Sequence, residues 1–304
     1  MTPLTRRHAL FAAASLPLMP LAGPAMARAD KQGPATARFH RFALGDFEVT
    51  TLLAGTSPRD KPQETFGLNV SEAEFKAAAD AAFIPADRTM FFFTPTLVNT
   101  GAELVLFDTG LDPASMTEAL AAAGVAPDQI DTVVLTHMHG DHIGGLMGEA
   151  GVTFPNARYV AGAAEHNHWS GAANEGFDTK VRPLTDKMTM LDDGGAVAPG
   201  ITALQAFGHS PGHMAYLLES AGKRLAITAD CANHYVWSLA NPGWEVRFDA
   251  DKAAAAATRR AIFGMIAAEK IPFIGYHMPF PGVGYVEPAG TGFRYVPASY
   301  QLML

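Results

Sequence analysis

Thr136-His137-Met138-His139-Gly140-Asp141-His142-Ile143-Gly144-Gly145 sets four side chains able to ligate a metal within six residues. The run follows residues 132–136 (TVVLT), a short apolar stretch that reads as a buried strand, so the cluster begins where a strand ends. His137 and His139 are two apart and share a face in extended backbone. The chain then turns at Gly140, and Asp141 and His142 face a second point a few ångströms off. Imidazole with carboxylate suits zinc or a similar divalent ion, with manganese, iron and cobalt also compatible.

Three later segments supply further donors. Gly208-His209-Ser210-Pro211-Gly212-His213 is a tight turn of which only one histidine need reach a metal; Thr228-Ala229-Asp230 and Tyr276-His277 each end an expected strand. A lone strand-end His or Asp is more often structural. Their joint order behind the first cluster is what singles them out.

Around these motifs the pattern is α/β. Hairpins are expected over residues 39–53 about Gly45-Asp46, and over residues 94–107 about Thr100-Gly101. Further strands are expected at 158–161, 201–207, 214–219, 224–228 and 272–276, the last taken as the final core strand. Helices are expected at 115–123, 163–169 and 250–269, the last with Asp249 as N-cap. Strands dominating both halves with few helices suggest an αββα sandwich, two mixed sheets flanked by helices.

Composition narrows the class. The 304 residues carry 22 Lys+Arg against 30 Asp+Glu, are 48% hydrophobic and contain one cysteine. That excludes a disordered chain and an intramolecular disulfide framework, and the net charge of −8 argues against a nucleic-acid groove. Residues 1–27 read as an export signal: Arg6-Arg7, an apolar stretch broken by Pro17 and Pro20, then Ala25-Met26-Ala27 as a cleavage site. Adjacent arginines point to the twin-arginine route, and the broken stretch is short for a membrane anchor. Removing the signal leaves 20 basic residues against 30 acidic, a net of −10, in one expected domain over residues 28–304 and a periplasmic location.

The order T-H-x-H-x-D-H-x-G-G, G-H-S-P-G-H, A-D and a late His resembles the metallo-β-lactamase superfamily from about Phe42 to Phe293. The resemblance implies one metal on His137, His139 and His213, and a second on Asp141, His142 and His277, with Asp230 bridging. It leaves His209 as a support residue and puts Asp108, of Asp108-Thr109-Gly110, behind a ligand. Two divalent ions bring four positive charges; Asp141, Asp230 and a bridging hydroxide return three, and the surplus can stabilise an oxyanion. Hydrolysis at a carbonyl or phosphoryl centre follows, with Asp141 and Asp230 in the catalytic centre.

Within that superfamily the chain is most similar to exported lactonases and enzymes of the methyl-parathion-hydrolase type. The signal, Asp230, and His277-Met278-Pro279-Phe280-Pro281-Gly282-Val283-Gly284 carry the likeness. The expected substrate is a lactone or related ester. The stretch between Gly110 and Gly124 is short beside the parathion hydrolases, which counts against phosphotriesters. The alternatives are an organophosphate triester hydrolase, a β-lactamase, for which Cys231 would have to take Asp230's place, and a non-catalytic periplasmic metal-binding protein. Trp169, His234 and Phe280 are candidates for the substrate pocket, with Phe177 beside Trp169. The run Phe91-Phe92-Phe93 reads as core more readily than as an apolar mouth, and surface around it could serve a homodimer.

Overall fold

The computed structural model describes residues 30, 31 and 33–303; the expected signal, residues 1–27, lies outside them. The chain divides into two compact units, Met1–Ala35 and Thr36–Leu304. The described residues of the first carry no helix or strand. The second runs β1 (Phe39–Leu44), β2 (Phe47–Leu52), β3 (Gly55–Asp60), α1 (Glu72–Ala81), β4 (Arg88–Phe93), β5 (Thr96–Asn99), β6 (Leu104–Phe107), α2 (Pro113–Ala122), β7 (Thr132–Leu135), α3 (Gly140–Ile143), β8 (Met147–Gly148), β9 (Gly151–Val152), β10 (Arg158–Gly162), α4 (Ala163–Gly171) and β11 (Met188–Leu191). It continues with β12 (Ala196–Ala198), β13 (Ile201–Gln205), β14 (Met214–Ser220), β15 (Lys223–Ala229), α5 (Lys252–Glu269), β16 (Phe273–Gly275), β17 (Val283–Ala289) and β18 (Gly292–Pro297).

Two seven-stranded mixed sheets result, ordered β1-β2-β5-β6-β7-β10-β11 and β12-β13-β14-β15-β16-β17-β18. The period-2 alternation of strands builds the layers. On β7, Val134 packs inward with Tyr216 and Ile227 of the other sheet, while Val133 and Leu135 join Met116 and Leu120 of α2 outside. On the far side Phe263 and Ile266 of α5 cover Ala226 and Phe273. The fold is the expected αββα sandwich. The two expected hairpins form as β1–β2 and β5–β6, the first turning through Gly45 at φ 60°.

Three details differ from expectation. Helix α5 is capped by Asp251, whose carboxylate accepts the N–H of Ala254, and Asp249 is buried elsewhere. Strand β16 is followed by β17 and β18, which extend the second sheet. Strands β3 and β4 form a separate antiparallel pair, and α1 follows a Ser71–Glu74 capping box that was present in the sequence.

The glycine pair after His142 has a steric cause. A Cβ on Gly144 would lie 2.0 Å from the carbonyl oxygen of Leu111, and one on Gly145 2.1 Å from that of Thr109. Glycine lets the segment after β6 lie directly on the motif and brings Asp108 beneath His142. Gly145→Ala is expected to lower stability by about 1–3 kcal/mol. Gly264→Ala, inside α5 with open space around its Cβ, is expected to raise it by about 0.5–1 kcal/mol. Urea unfolding midpoints of the two variants check both signs.

Candidate metal centre

Strands from both sheets end at one edge. Asp108 follows β6 and His137 follows β7 in the first sheet; Asp230 follows β15 and His277 follows β16 in the second. Each of those pairs is parallel, so their carboxyl ends meet there. His139 caps α3, whose single turn carries Asp141 and His142. Ala229 sits at φ 42° beside a register shift in β15, a left-handed kink immediately before Asp230.

The donors converge in three overlapping groups: His137, His139 and His209; His137, His142 and Asp230; Asp141, His142 and His277. Within each group the ligand atoms lie within 4.8 Å of one another. Asp230 stands between them, with Oδ1 3.4 Å from His142 Nε2 and Oδ2 3.3 Å from His209 Nε2 and 3.2 Å from His277 Nε2. Asp141 Oδ2 is 3.3 Å from His277 Nε2. His139 Nδ1 lies 2.9 Å from His137 Nε2 and 3.0 Å from His209 Nε2.

The first group holds His209 where the resemblance implies His213. The Nε2 of His213 accepts the backbone N–H of Asp230 at 3.2 Å, so its inward lone pair is committed to holding the Asp230 backbone. His209 presents Nε2 to the cluster because its Nδ1 is 2.9 Å from Asp249 Oδ1. Asp249 is itself fixed by buried Arg259, whose Nη2 donates to Oδ2 at 3.0 Å while Nε donates to the carbonyl of Cys231. Cys231 packs in the α5 core, where burial pushes its thiol up to about 12.

Other imidazoles are held from behind in the same way. His142 Nδ1 donates to Asp108 Oδ2 at 2.8 Å, and Asp108 also accepts the N–H and hydroxyl of Thr136. His277 Nδ1 donates to the carbonyl of Phe92 at 2.8 Å. A back-side acceptor places the proton on Nδ1 and frees Nε2 for a metal. Tyr276 donates its hydroxyl to the backbone carbonyl of Asp141, and its ring lies 4.0 Å from that of His142.

Sequence reasoning missed Asp249, Arg259 and Glu165. Glu165 is fully buried on α4 and accepts from the N–H groups of Met138 and Gly212, the Ser210 hydroxyl and the Trp169 indole. One carboxylate thus clamps the first motif to the G-H-S-P-G-H turn. A Cβ on Gly212 would lie 2.0 Å from Glu165 N, so that turn needs glycine there. Helical spacing brought Glu165 and Trp169 to one face; no spacing rule links either to residue 210.

A cavity of about 450 Å³ opens over the donors, lined by Phe91, Phe93, Leu111 and Phe248 with Arg59 at its side. Phe91 and Phe93 wall this mouth, with rings edge-on to His277 at 5.4 and 5.6 Å, so the aromatic run is not simply core. Trp169 does not line it: its ring stands edge-on to His139 at 5.9 Å and its indole donates to Glu165. Phe280 lines neither this cavity nor its neighbour, and Phe177 is buried in the core behind α4. His234 belongs to the neighbouring cavity.

Burial lowers His137 well below its ordinary value and His139 to about 4, with neighbouring imidazoles adding to the effect. His142 is also buried, yet Asp108, Asp230 and Asp141 hold it well above the ordinary range. Burial likewise opposes charge on His277, but Asp230 and Asp141 raise it to about 10. The reverse holds for Asp141, which burial would raise and which His142 and His277 bring down to about 2. The acids are therefore balanced by protons on His142 and His277. His142 Nε2 and Asp230 Oδ1 are nonetheless buried with no hydrogen-bond partner among the described residues. Once His142 gives up its proton, these atoms are two lone pairs 3.4 Å apart without a protein partner, which a divalent cation would satisfy, and the residues fit one.

The chain matches the model of the metallo-beta-lactamase superfamily over residues 94–268, and it belongs to that superfamily. Its fold is that of AidC, a dizinc quorum-quenching lactonase solved in complex with a product: 24% identity, TM-score 0.79, covering 86% of this chain and 98% of that one. It is equally that of the hydrolase AbOPH: 23% identity, TM-score 0.80, 88% and 100% covered. Protein YobT of Bacillus subtilis (strain 168) is 27% identical over 161 residues, 50% of this chain and 67% of that protein. An atrochrysone carboxyl ACP thioesterase of Passalora fulva is 31% identical over 139 residues, 44% of this chain. The match spans only 36% of the thioesterase's length.

Two outcomes follow from the centre. His209→Ala is expected to weaken zinc binding by more than the roughly 10–100-fold expected of Asp249→Asn, which loosens His209 from behind. His213→Ala is expected to leave the donor set whole; competition with a chelating dye measures all three. Zinc binding at pH 7 is expected to release protons from His142 and His277, both of which their carboxylate neighbours hold toward the protonated form, with any further proton coming from metal-bound water. Affinity then rises with pH. Calorimetry in buffers of differing ionisation enthalpy reads the proton count, and release of none contradicts the assignment.

Proposed function

We propose that the chain is a dinuclear metal-dependent hydrolase that opens lactones or related esters. The observation that carries this reading is the convergence of His137, His139, Asp141, His142, His209 and His277 around Asp230 at the floor of an aromatic-walled cavity. Two divalent cations, zinc in the first instance, would supply there a polarising charge and a water that ionises near neutral pH.

The chain's own residues do the rest. Asp230 reaches both groups of imidazoles and holds them in register. Asp108, Asp249 and the Phe92 carbonyl keep Nε2 of His142, His209 and His277 facing inward. Phe91, Phe93, Leu111 and Phe248 exclude water and favour a neutral, apolar substrate over an ionised one. Residues 111–123, most of them in α2, make the connection between Gly110 and Gly124, and this compact segment supports the lactone over a bulkier phosphotriester. We also infer export, on Arg6-Arg7 and the apolar stretch after them.

With zinc-loaded protein, kcat/KM is expected to be highest for a lactone, lower for a nitrophenyl ester and lowest for an organophosphate triester. His139→Ala is expected to cut turnover by more than 100-fold; full turnover in that variant contradicts the reading. Highest efficiency on the triester would reverse the choice of substrate. Replacing Arg6 and Arg7 together by Lys is expected to keep the chain in the cytoplasmic fraction with its signal uncut.

A further inference from the structure

A second cavity, of about 550 Å³, adjoins the first and shares Arg59 and His277 with it. Ile84, Met90, Phe92 and Trp237 give it apolar walls, exposed Arg59, Asp60 and Arg88 also line it, and His234 is 8% exposed. His234 Nδ1 accepts the backbone N–H groups of Val236 at 3.1 Å and Trp237 at 3.2 Å, capping the turn Tyr235–Ala240. A ring nitrogen that accepts two N–H groups carries no proton, so the neutral imidazole bears its hydrogen on Nε2. Burial holds the ring at about 3, which keeps it neutral in ordinary buffers. Stacking on Trp237, with centroids 4.1 Å apart and planes at 17°, fixes its direction.

The cap uses Nδ1 and the stack uses the ring face; neither uses Nε2–H. That donor has no hydrogen-bond partner among the described residues, and His234 lines the cavity. A cap alone would be served by Asn, Asp or Ser, which are commoner at such positions. The surplus group is a donor on a residue that lines this cavity together with the candidate metal ligand His277. A small number of fixed polar groups in an apolar lining is how a pocket selects a ligand.

We propose that this second cavity receives the non-reacting part of the substrate, an apolar chain or ring bearing a carbonyl oxygen, with His234 Nε2–H donating to that oxygen. The scissile carbonyl then lies past His277, over the metal donors. Beside Phe92 and Trp237 a neutral substituent fits better than an ionised one, because these rings would strip water from a charge; Arg59, Asp60 and Arg88 lie on the exposed side. The proposal rests on the hydrolase reading for the reacting half of the substrate and on the second cavity alone for the other half.

Two variants separate the roles of the ring. His234→Asn keeps an acceptor for the capped N–H groups and lacks the far donor; His234→Gln supplies a far donor and loses the cap. The zinc-loaded enzymes are compared on butyrolactones whose alkyl side chain either carries a carbonyl or lacks it. Wild type is expected to favour the carbonyl form about tenfold in kcat/KM, the worth of one hydrogen bond. The ratio is expected to fall to about one in His234→Asn and to recover in part in His234→Gln, with zinc content and thermal unfolding reporting that each variant is folded. An undiminished ratio in His234→Asn overturns the proposal. Independently of turnover, the unreactive N-methyloctanamide is expected to shift the His234 Nε2 nitrogen resonance of the wild-type holoenzyme. Absence of that shift at saturating amide overturns the proposal even if lactones are hydrolysed. If no lactone is hydrolysed, the hydrolase reading fails and the amide shift alone decides the subsite.

Discussion

Five imidazoles and two carboxylates gathered in a dry pocket repel, desolvate and share protons unless something fixes where each lone pair points. Here that is done from behind. Asp108 holds His142, Asp249 holds His209 and the carbonyl of Phe92 holds His277, each through Nδ1. Every one of these contacts turns an Nε2 toward Asp230. The cluster is therefore a set of oriented acceptors, and its chemistry depends on partners that would touch no metal.

The scaffold supplies those partners because parallel strands of two sheets deliver their carboxyl ends to one edge. Gly144 and Gly145 let the segment after β6 lie on the motif, and Glu165 ties the motif to the turn that bears His209. Arg259 reaches from α5 to Asp249 and to the carbonyl after Asp230, so the outer helix and the two acidic positions are linked by one buried guanidinium. Packing thus reaches the site directly.

The parts legible in the sequence were those written in local spacing. The buried strand before His137, the hairpins at Gly45 and Gly101, and the donors of the first motif all follow from neighbours within a few residues. The choice between His209 and His213 did not, because both lie on one tight turn. The two differ in their partners: His209 has Asp249, forty residues later, and His213 the backbone of Asp230. Asp249 itself looked like a helix cap because Asp251 stands two positions on. Trp169 was the right kind of residue for a pocket wall, but its indole is taken by Glu165 and the ring does not line the cavity. Phe91 to Phe93 gave a bland apolar signal, and only pairing with β3 reveals two rings at the mouth and a carbonyl on His277.

Anomalous diffraction from zinc-loaded crystals decides whether Asp230 lies between two ions. Two peaks are expected, one ringed by His137, His139 and His209, the other by Asp141, His142 and His277, with the carboxylate of Asp230 shared. A single peak per chain, or a peak coordinated by His213, would contradict that arrangement.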